Sequence, residues 1–144
     1  ANVVQMMREK KALVGGEGNG GVILPSFPAG RDSLIAAALV LSRLAEENVE
    51  FSSLVASLPT YYTKKSKAPL PADFAARLQR FESEASSLLG ETATDRRDGI
   101  RFDFAGGWVQ IRSSNTEPIF RVIVETESRK ATDRLVSKVM AYFR

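Results

Sequence analysis

The amino-acid sequence predicts an α/β piece followed by a small α+β domain with an antiparallel four-stranded sheet and two helices. Two observations support this fold class. Short strand-like runs and one long helical pattern alternate over the first third of the chain, as they do at the end of an α/β layer. Farther along, strand-like runs with alternating apolar residues lie between two amphipathic helical patterns. We place the boundary between the two parts near residues 50–60.

The N-terminal part begins with a short helix over residues 3–10 and a brief buried strand over residues 12–14. A second strand-like run, residues 22–24, follows a glycine-rich loop. Asp32 or Ser33 can cap the next helix, because both side chains accept backbone N–H groups. Its wide apolar stripe predicts a well-buried helix. The stripe consists of Leu34, Ile35, Ala38, Leu41, Leu44 and Ala45.

The C-terminal part begins with an extended stretch over residues 61–67 and an amphipathic helix over residues 71–89, which Gly90 ends. Three strands are then predicted at residues 100–104, 108–112 and 119–127, and the first two are joined by a tight turn at Ala105-Gly106-Gly107. Ser128 can cap a final helix. Phe102, Phe104, Val122 and Val124 are expected to face the core, and core or edge packing is also the favoured placement for Trp108.

Composition excludes several functions. The 144 residues include no cysteine and no histidine, so thiol chemistry and the commonest general base are both absent. Lysines and arginines are scattered over a chain of net charge +3, which suits an anionic small molecule as well as nucleic acid. No apolar run reaches the ~20 residues of a membrane span. Residues 1–5 look like neither a signal peptide nor a natural start, so we expect a cytoplasmic chain cut within an element.

The loop Gly15-Gly16-Glu17-Gly18-Asn19-Gly20-Gly21 is the first candidate site. Its glycines let the backbone approach a ligand, and the carboxylate of Glu17 and the amide of Asn19 suit sugar hydroxyls. A simple strand–strand connection is an equally good interpretation of the spacing. The loop is neither a Walker P-loop nor a dinucleotide-binding fingerprint, since a strand rather than a helix follows.

The second candidate is the polar stretch Arg112-Ser113-Ser114-Asn115-Thr116-Glu117-Pro118, with Arg121 shortly after it. Guanidinium groups offer forked donors, and hydroxyl, amide and backbone N–H groups fill in around them, which suits a phosphate dianion. Composition alone slightly favours a polar turn in which Ser114 and Asn115 bond their own backbone. If the strands that carry Arg112 and Arg121 are neighbours, both guanidinium groups can converge on one ligand.

Both loops resemble motifs of the α-D-phosphohexomutases, the phosphoglucomutase and phosphomannomutase family. Residues 112–121 resemble the phosphate loop Arg-x-Ser-Asn-Thr-Glu-Pro-x-x-Arg, and residues 15–21 resemble a sugar-specificity loop that begins Gly-Gly-Glu. Residues 58–62 and 98–101 are similar to further family stretches. The resemblance implies the C-terminal part of the third mutase domain (residues 1–52), a linker (53–66) and the complete fourth domain (67–144), with a sheet like that of the TATA-box-binding protein.

The resemblance implies roles for individual residues. Arg112, Ser114, Asn115, Thr116 and Arg121 would bind the phosphate that is not transferred, and Glu17 and Asn19 would bind the sugar, which could be glucose, mannose or an amino sugar. The family's phosphoserine and Asp-x-Asp-x-Asp loops are missing from this sequence, so it carries no catalytic or metal-binding residue of the family. We therefore expect an inactive fragment of an isomerase of carbohydrate metabolism.

The parent enzyme would use Mg²⁺ and a hexose 1,6-bisphosphate intermediate. Its other partners would be the hexose phosphate substrate and the missing N-terminal mutase domains, with no nucleic acid and no membrane. The alternative from a different class is a stand-alone anion- or nucleic-acid-binding module, which aromatic side chains exposed on the sheet would favour.

Overall fold

The polypeptide divides into two units, residues 1–59 and residues 60–144, in a computed structural model that describes residues 2–16, 20–26 and 30–144. The N-terminal unit contains helix α1 (Asn2–Lys10), strands β1 (Gly15–Gly16) and β2 (Val22–Ile23), and helices α2 (Ser33–Glu47) and α3 (Phe51–Ala56). The C-terminal unit contains strands β3 (Tyr62–Pro69), β4 (Thr92–Asp95), β5 (Ile100–Phe104), β6 (Gly107–Ser113) and β7 (Ile119–Thr126), and helices α4 (Phe74–Leu89) and α5 (Arg129–Ala141). The segment 53–66 holds the end of α3 and the first half of β3.

In the N-terminal unit, β1 and β2 pair as a two-stranded antiparallel ribbon. The strand predicted at residues 12–14 is wrong, because the residues that pair are Gly15 and Gly16 and the side chain of Leu13 is 87% exposed. A run of three apolar residues is too short to distinguish a buried strand from an exposed connection.

Helix α2 begins directly after its predicted cap residue Asp32, but its burial differs from the prediction. Asp32 accepts hydrogen bonds from the backbone N–H groups of Leu34 (2.7 Å) and Ile35 (3.1 Å), and Asn48 ends the helix in the left-handed conformation at φ 51°. The expected burial is wrong, since no residue of α2 is buried. Within the described residues, Leu34 and Leu41 of the apolar stripe are exposed, whereas Ile35 and Leu44 are half-buried.

The C-terminal unit is built on one antiparallel sheet with the strand order β3-β7-β6-β5-β4. The predicted four strands are wrong, because the sheet has five. Strand β4 was missed because its four residues, Thr-Ala-Thr-Asp, show no apolar alternation and form a short edge strand paired only with β5. The predicted turn between β5 and β6 is present, with Ala105 and Gly106 between the paired residues Phe104 and Gly107.

Helices α4 and α5 cover one face of this sheet, where alternate residues of β5, β6 and β7 are buried. Phe81 of α4 meets Phe102 edge-on at 5.6 Å, and Phe120 of β7 packs against Phe143 at 4.8 Å. The core placement of Phe102, Phe104, Val122 and Val124 is confirmed. We call the opposite side of the sheet the polar face. It carries Thr63, Lys65 and Lys67 of β3, Arg121, Ile123 and Glu125 of β7, and Trp108, Gln110 and Arg112 of β6.

Among the described residues, no helix is long and apolar enough to cross a membrane.

Candidate phosphate-binding site

Two arginines lie side by side on the polar face. Arg112, near the end of β6, is directly opposite Arg121 of β7 in the antiparallel register. The condition for both guanidinium groups to reach one ligand, that their strands are neighbours, is therefore met. Like charges placed directly opposite each other on two strands destabilise a sheet. Their juxtaposition is thus an arrangement that folding alone does not favour.

Each of these arginines has one carboxylate partner. Nη1 of Arg112 lies 3.2 and 3.0 Å from the two carboxylate oxygens of Asp98, and Nη2 of Arg121 lies 3.0 Å from Oε2 of Glu117. Both pairs are partly exposed, so each stabilises the fold only weakly. Exposed pairs of this kind can exchange a carboxylate for a ligand anion at small cost.

The Nε–H group of Arg112 is buried and donates to no acceptor in the described part of the chain. A buried donor without an acceptor costs about 1–3 kcal/mol, and such groups are rare in folded proteins. The side chain of Arg112 is therefore held in a position that costs free energy, as is common where a side chain serves a ligand.

The turn between β6 and β7 brings hydroxyl groups next to the arginines. The backbone N–H of Ser114 donates to the carbonyl of Ile119 at 2.9 Å and closes the turn. The hydroxyls of Ser114 and Thr116 lie 3.4 Å apart, and the backbone N–H of Thr116 is 3.4 Å from Oγ of Ser114. Ser114 thus accepts the local backbone hydrogen bond that a simple polar turn would use, but at a long donor–acceptor distance.

Asn115 does not make the corresponding local bond. Within the described residues its side chain has no hydrogen bond, and its backbone N–H and that of Glu117 donate to no acceptor. Asn115, Thr116 and Glu117 are all exposed. The tip of the turn between β6 and β7 therefore offers free donors, and a phosphate oxygen is a suitable acceptor for them.

The carboxylate that holds Arg112 is itself placed by a tight turn. Gln110 donates from Nε2 to the backbone carbonyl of Asp98 at 2.8 Å. Gly99 follows at φ 70°, and a Cβ added there would lie 2.3 Å from the carbonyl oxygen of Ile111. Only glycine fits, because the backbone conformation and the close contact both exclude a side chain. The resemblance over residues 98–101 thus corresponds to a turn that packs against Arg112.

Two lysines of β3 complete the cleft, and sequence reasoning missed them as site residues. Lys67 is opposite Arg121, and Lys65 is opposite Ile123. A cleft of about 430 Å³ runs along these strands. It is lined by Lys65, Ser66, Lys67, Arg112, Arg121 and Ile123. Alternation along β3 places Lys65 and Lys67 on the same face of the strand. This pattern identifies them as site residues only once the pairing of β3 with β7 is known.

The glycine-rich loop is described only in part. Gly15 and Gly16, which were assigned to the loop, instead form a strand that pairs with Ile23 and Val22 in antiparallel orientation. Glu17 and Asn19 lie outside the described residues, and the sugar-binding role assigned to them stays a prediction.

Trp108 lies on the polar face, so the favoured core or edge placement is wrong. Its indole Nε1–H donates to Glu125 at 2.9 Å, and the guanidinium carbon of Arg101 sits 4.2 Å from the ring centroid. Trp108 is half-buried and one of its ring faces is occupied by Arg101, so it does not offer the row of free aromatic faces that nucleic-acid-binding sheets use.

The described residues contain no group of three or more acidic, histidine or cysteine side chains that could hold a metal ion. The two carboxylates nearest the cleft, Asp98 and Glu117, are engaged by arginines. The described part of this chain therefore does not fit the Mg²⁺ implied for the parent enzyme.

Paired arginines beside a hydroxyl-rich turn are groups that suit a phosphate. Two family models match this chain. The model of the phosphoglucomutase/phosphomannomutase α/β/α domain III matches residues 1–62, and the model of the C-terminal domain of the same proteins matches residues 46–141. The chain belongs to the phosphoglucomutase/phosphomannomutase family.

Individual relatives agree with this assignment. A phosphoglucomutase/phosphomannomutase of Thermococcus kodakarensis is 36% identical over 89% of this chain and 28% of its own length. A phosphoglucosamine mutase of Methanocaldococcus jannaschii is 30% identical over 94% of this chain and 30% of its own length. The chain thus spans less than a third of these relatives, which are isomerases of the phosphohexomutase type.

The fold also matches a solved structure. The crystal structure of a phosphoglucomutase/phosphomannomutase family protein from Burkholderia thailandensis superposes with a TM-score of 0.70, at 24% identity, over 96% of this chain and 29% of that chain. This likeness establishes the shared fold.

Proposed function

We propose that this chain is the substrate-binding C-terminal portion of a phosphohexomutase that interconverts hexose 1-phosphate and hexose 6-phosphate. The observation that carries the proposal is the placement of Arg112 opposite Arg121, beside the turn that holds Ser114, Asn115 and Thr116. Family membership and the mutase names of the relatives support it. The role of these five residues is to bind the phosphate that is not transferred.

The proposed binding step is an exchange of anions. A phosphate dianion has three oxygens that accept hydrogen bonds, and two guanidinium forks supply paired donors for them. The Asp98 and Glu117 carboxylates already occupy part of these forks, so the incoming phosphate shares or displaces them. The hydroxyls of Ser114 and Thr116 and the free backbone donors of the turn then fix the orientation of the phosphate.

The sugar contacts are assigned to the glycine-rich loop, where Glu17 accepts from hydroxyl groups and Asn19 both donates and accepts. Binding at two points, the sugar and its remote phosphate, orients the other end of the substrate for phosphoryl transfer. Positioning and charge complementarity are major terms in the catalysis of such transfers.

We also propose that the chain alone is inactive, because its sequence lacks the family's phosphoserine and aspartate-rich loops. The parent would supply these with its N-terminal domains, and Mg²⁺ and a hexose 1,6-bisphosphate intermediate belong to that part of the reaction. A cytoplasmic location is proposed with it. Detectable mutase turnover by the purified 144-residue chain would contradict the proposed inactivity.

The binding test is a titration of the chain with glucose 1-phosphate, mannose 1-phosphate and glucosamine 1-phosphate, followed by amide chemical shifts. We expect Arg112→Ala to lower the affinity for all three by roughly tenfold or more, because a charge-assisted hydrogen bond contributes about 1.5–3 kcal/mol. Arg80→Ala is the matched control, since Arg80 also pairs with a carboxylate, that of Glu84, but lies on α4. Equal affinities for the Arg112→Ala variant and the unsubstituted chain would refute the assignment of the loop.

A further inference from the structure

Lys67 extends the row of cations on the polar face to a third strand. The register places Lys67 of β3 opposite Arg121 of β7, which is itself opposite Arg112 of β6. Three positive side chains therefore lie in line across three neighbouring strands. Each directly opposed pair of like charges is unfavourable in a sheet. This cost is small compared with the stability that the buried core provides, and the fold alone does not explain why the three charges are aligned.

The charge balance of this row is uneven. Arg112 is compensated by Asp98 and Arg121 by Glu117. Lys67 forms no ion pair or hydrogen bond within the described part of the chain, and the same holds for Lys65 two residues earlier on the same face. The arginine pair with its two carboxylates is formally neutral. The excess positive charge of the cleft therefore comes from the two lysines.

Lys64, between these two lysines in sequence, shows the opposite behaviour. Its side chain points to the helix-covered side of the sheet and forms an ion pair with Asp133 of α5. Of the three lysines of β3, Lys64 is paired within the fold, whereas Lys65 and Lys67 face the cleft without a partner in the described part of the chain.

We propose that Lys67 is a further phosphate-binding residue of this site, and that Lys65 adds longer-range attraction to the same anion. The inference rests on the proposed function and deepens it. A phosphate that meets a neutral group of two arginines and two carboxylates gains little net attraction, whereas two uncompensated ammonium groups match the charge of a dianion. The flexible stem of Lys67 lets its ammonium group reach a phosphate bound between the arginines.

Phosphate binding would also explain the presence of a row of like charges. A bound dianion turns the repulsion between Lys67 and Arg121 into shared attraction to the ligand. Without phosphate the repulsion remains. The variant Lys67→Gln should therefore not unfold the protein, and its thermal midpoint should equal or slightly exceed that of the unsubstituted chain.

The test compares Lys67→Gln with Lys64→Gln in the 144-residue chain, with inorganic phosphate and glucose 1-phosphate as probes at low and high salt. Both variants remove one positive charge from the same strand. We expect Lys67→Gln to weaken the binding of both probes by roughly tenfold at low salt, and by less at high salt, where charges are screened. Lys64→Gln should leave both affinities within about twofold of the original, because its side chain lies on the other face. Lys67→Arg should retain most of the affinity.

Each outcome decides the question. Equal weakening by Lys67→Gln and Lys64→Gln would mean that only net charge matters, and it would overturn the inference. Unchanged affinity in Lys67→Gln, with loss of binding in Arg112→Ala, would also overturn it while leaving the proposed function intact. If neither Lys67→Gln nor Arg112→Ala changes binding, the proposed function fails as well.

Discussion

The two units of this chain differ in whether their apolar side chains find partners. In the C-terminal unit a single core joins the sheet to α4 and α5, and residues such as Phe81, Phe120 and Val109 are fully buried. In the N-terminal unit α2 has no buried residue, and Leu34 and Leu41 are 80% and 65% exposed. A contiguous apolar stripe of this kind on a helix marks a surface that is normally covered. The C-terminal unit thus contains all the partners of its own core, and the described part of the N-terminal unit does not.

The two units should behave very differently when they are produced separately. Residues 60–144 alone should unfold in one cooperative transition, because every residue of the core cluster lies in this range. Residues 1–59 alone should show no cooperative transition. Circular dichroism during heating and urea titration measures both. A sharp transition in residues 1–59, or its loss in residues 60–144, would contradict the comparison.

Truncation of a large apolar side chain should lower the free energy of unfolding when the residue lies in the core of the C-terminal unit and not when it lies on α2. Phe120→Ala should lower the free energy of unfolding of the C-terminal unit by about 3–5 kcal/mol, because it removes a fully buried ring that packs against Phe74 and Phe143. Leu41→Ala should change it by less than about 0.5 kcal/mol.

Urea denaturation of the 144-residue chain, followed by the fluorescence of Trp108 in the C-terminal unit, measures both variants. The two side chains are both large and apolar, but Leu41 lies in the other unit, so its variant tests whether α2 contributes to the stability of the C-terminal unit. Equal losses in the two variants would mean that it does.

The sequence was sufficient for elements whose own periodicity encodes burial. The alternation in β7 and the spacing of apolar residues in α4 predicted those elements and their core faces correctly. The same logic misjudged α2, because an apolar stripe reports a preference for burial and not the presence of a partner. Strand β4 was not predicted, because it is a strand through its pairing with β5 and its own composition shows no strand pattern.

The site shows the same division between local and long-range information. The residues 112–121 are contiguous, so their grouping was predictable from the sequence. Lys67 and Asp98 join them through the pairing of β3 with β7 and through the turn at Gly99, and both depend on long-range contacts. Asp98 lies in a stretch that resembles the family, but the sequence alone assigns it no role in the site. Residues brought to a site by a partner strand cannot be recognised until the register is known.

Glycine substitutions test the backbone of the two units. Gly99→Ala should cost about 1–3 kcal/mol for its positive φ and a similar amount for the contact with the carbonyl of Ile111. Gly90→Ala shares the positive φ, at 84°, but meets nothing within 4 Å, so it should cost only the first part. Gly16→Ala in the N-terminal unit should stay within about 0.5 kcal/mol, because its nearest contact, at 3.4 Å, is ordinary.

Urea denaturation ranks these three variants, and a phosphate titration adds a second measure. Gly99→Ala displaces the backbone beside Arg112, so it should also weaken phosphate binding, whereas Gly90→Ala should not. If Gly99→Ala and Gly90→Ala lose equal stability, the close contact with Ile111 has no energetic consequence.

A hydrogen bond between Tyr142 and Glu84 should give the C-terminal unit a small dependence on pH in acid. The hydroxyl of Tyr142 donates to Oε2 of Glu84 at 2.7 Å, and this bond, followed by that from Arg80, holds the pKa of Glu84 below its usual value. A lowered pKa contributes stability that is present above pH 4.5 and lost as the pH falls through the folded-state pKa.

Tyr142→Phe removes the larger of the two causes, so the pKa of Glu84 should move back toward its usual value. The thermal midpoint should then depend less steeply on pH as the pH falls below 4.5. The same hydrogen bond raises the pKa of Tyr142. The stability that it contributes is therefore present at neutral pH and is lost as the pH rises through the raised pKa of Tyr142. Tyr61→Phe is the control, because Tyr61 is exposed and its hydroxyl has no hydrogen bond in the described part of the chain. Identical pH profiles for Tyr142→Phe and Tyr61→Phe would show that the Tyr142–Glu84 bond does not link α5 to α4 in solution.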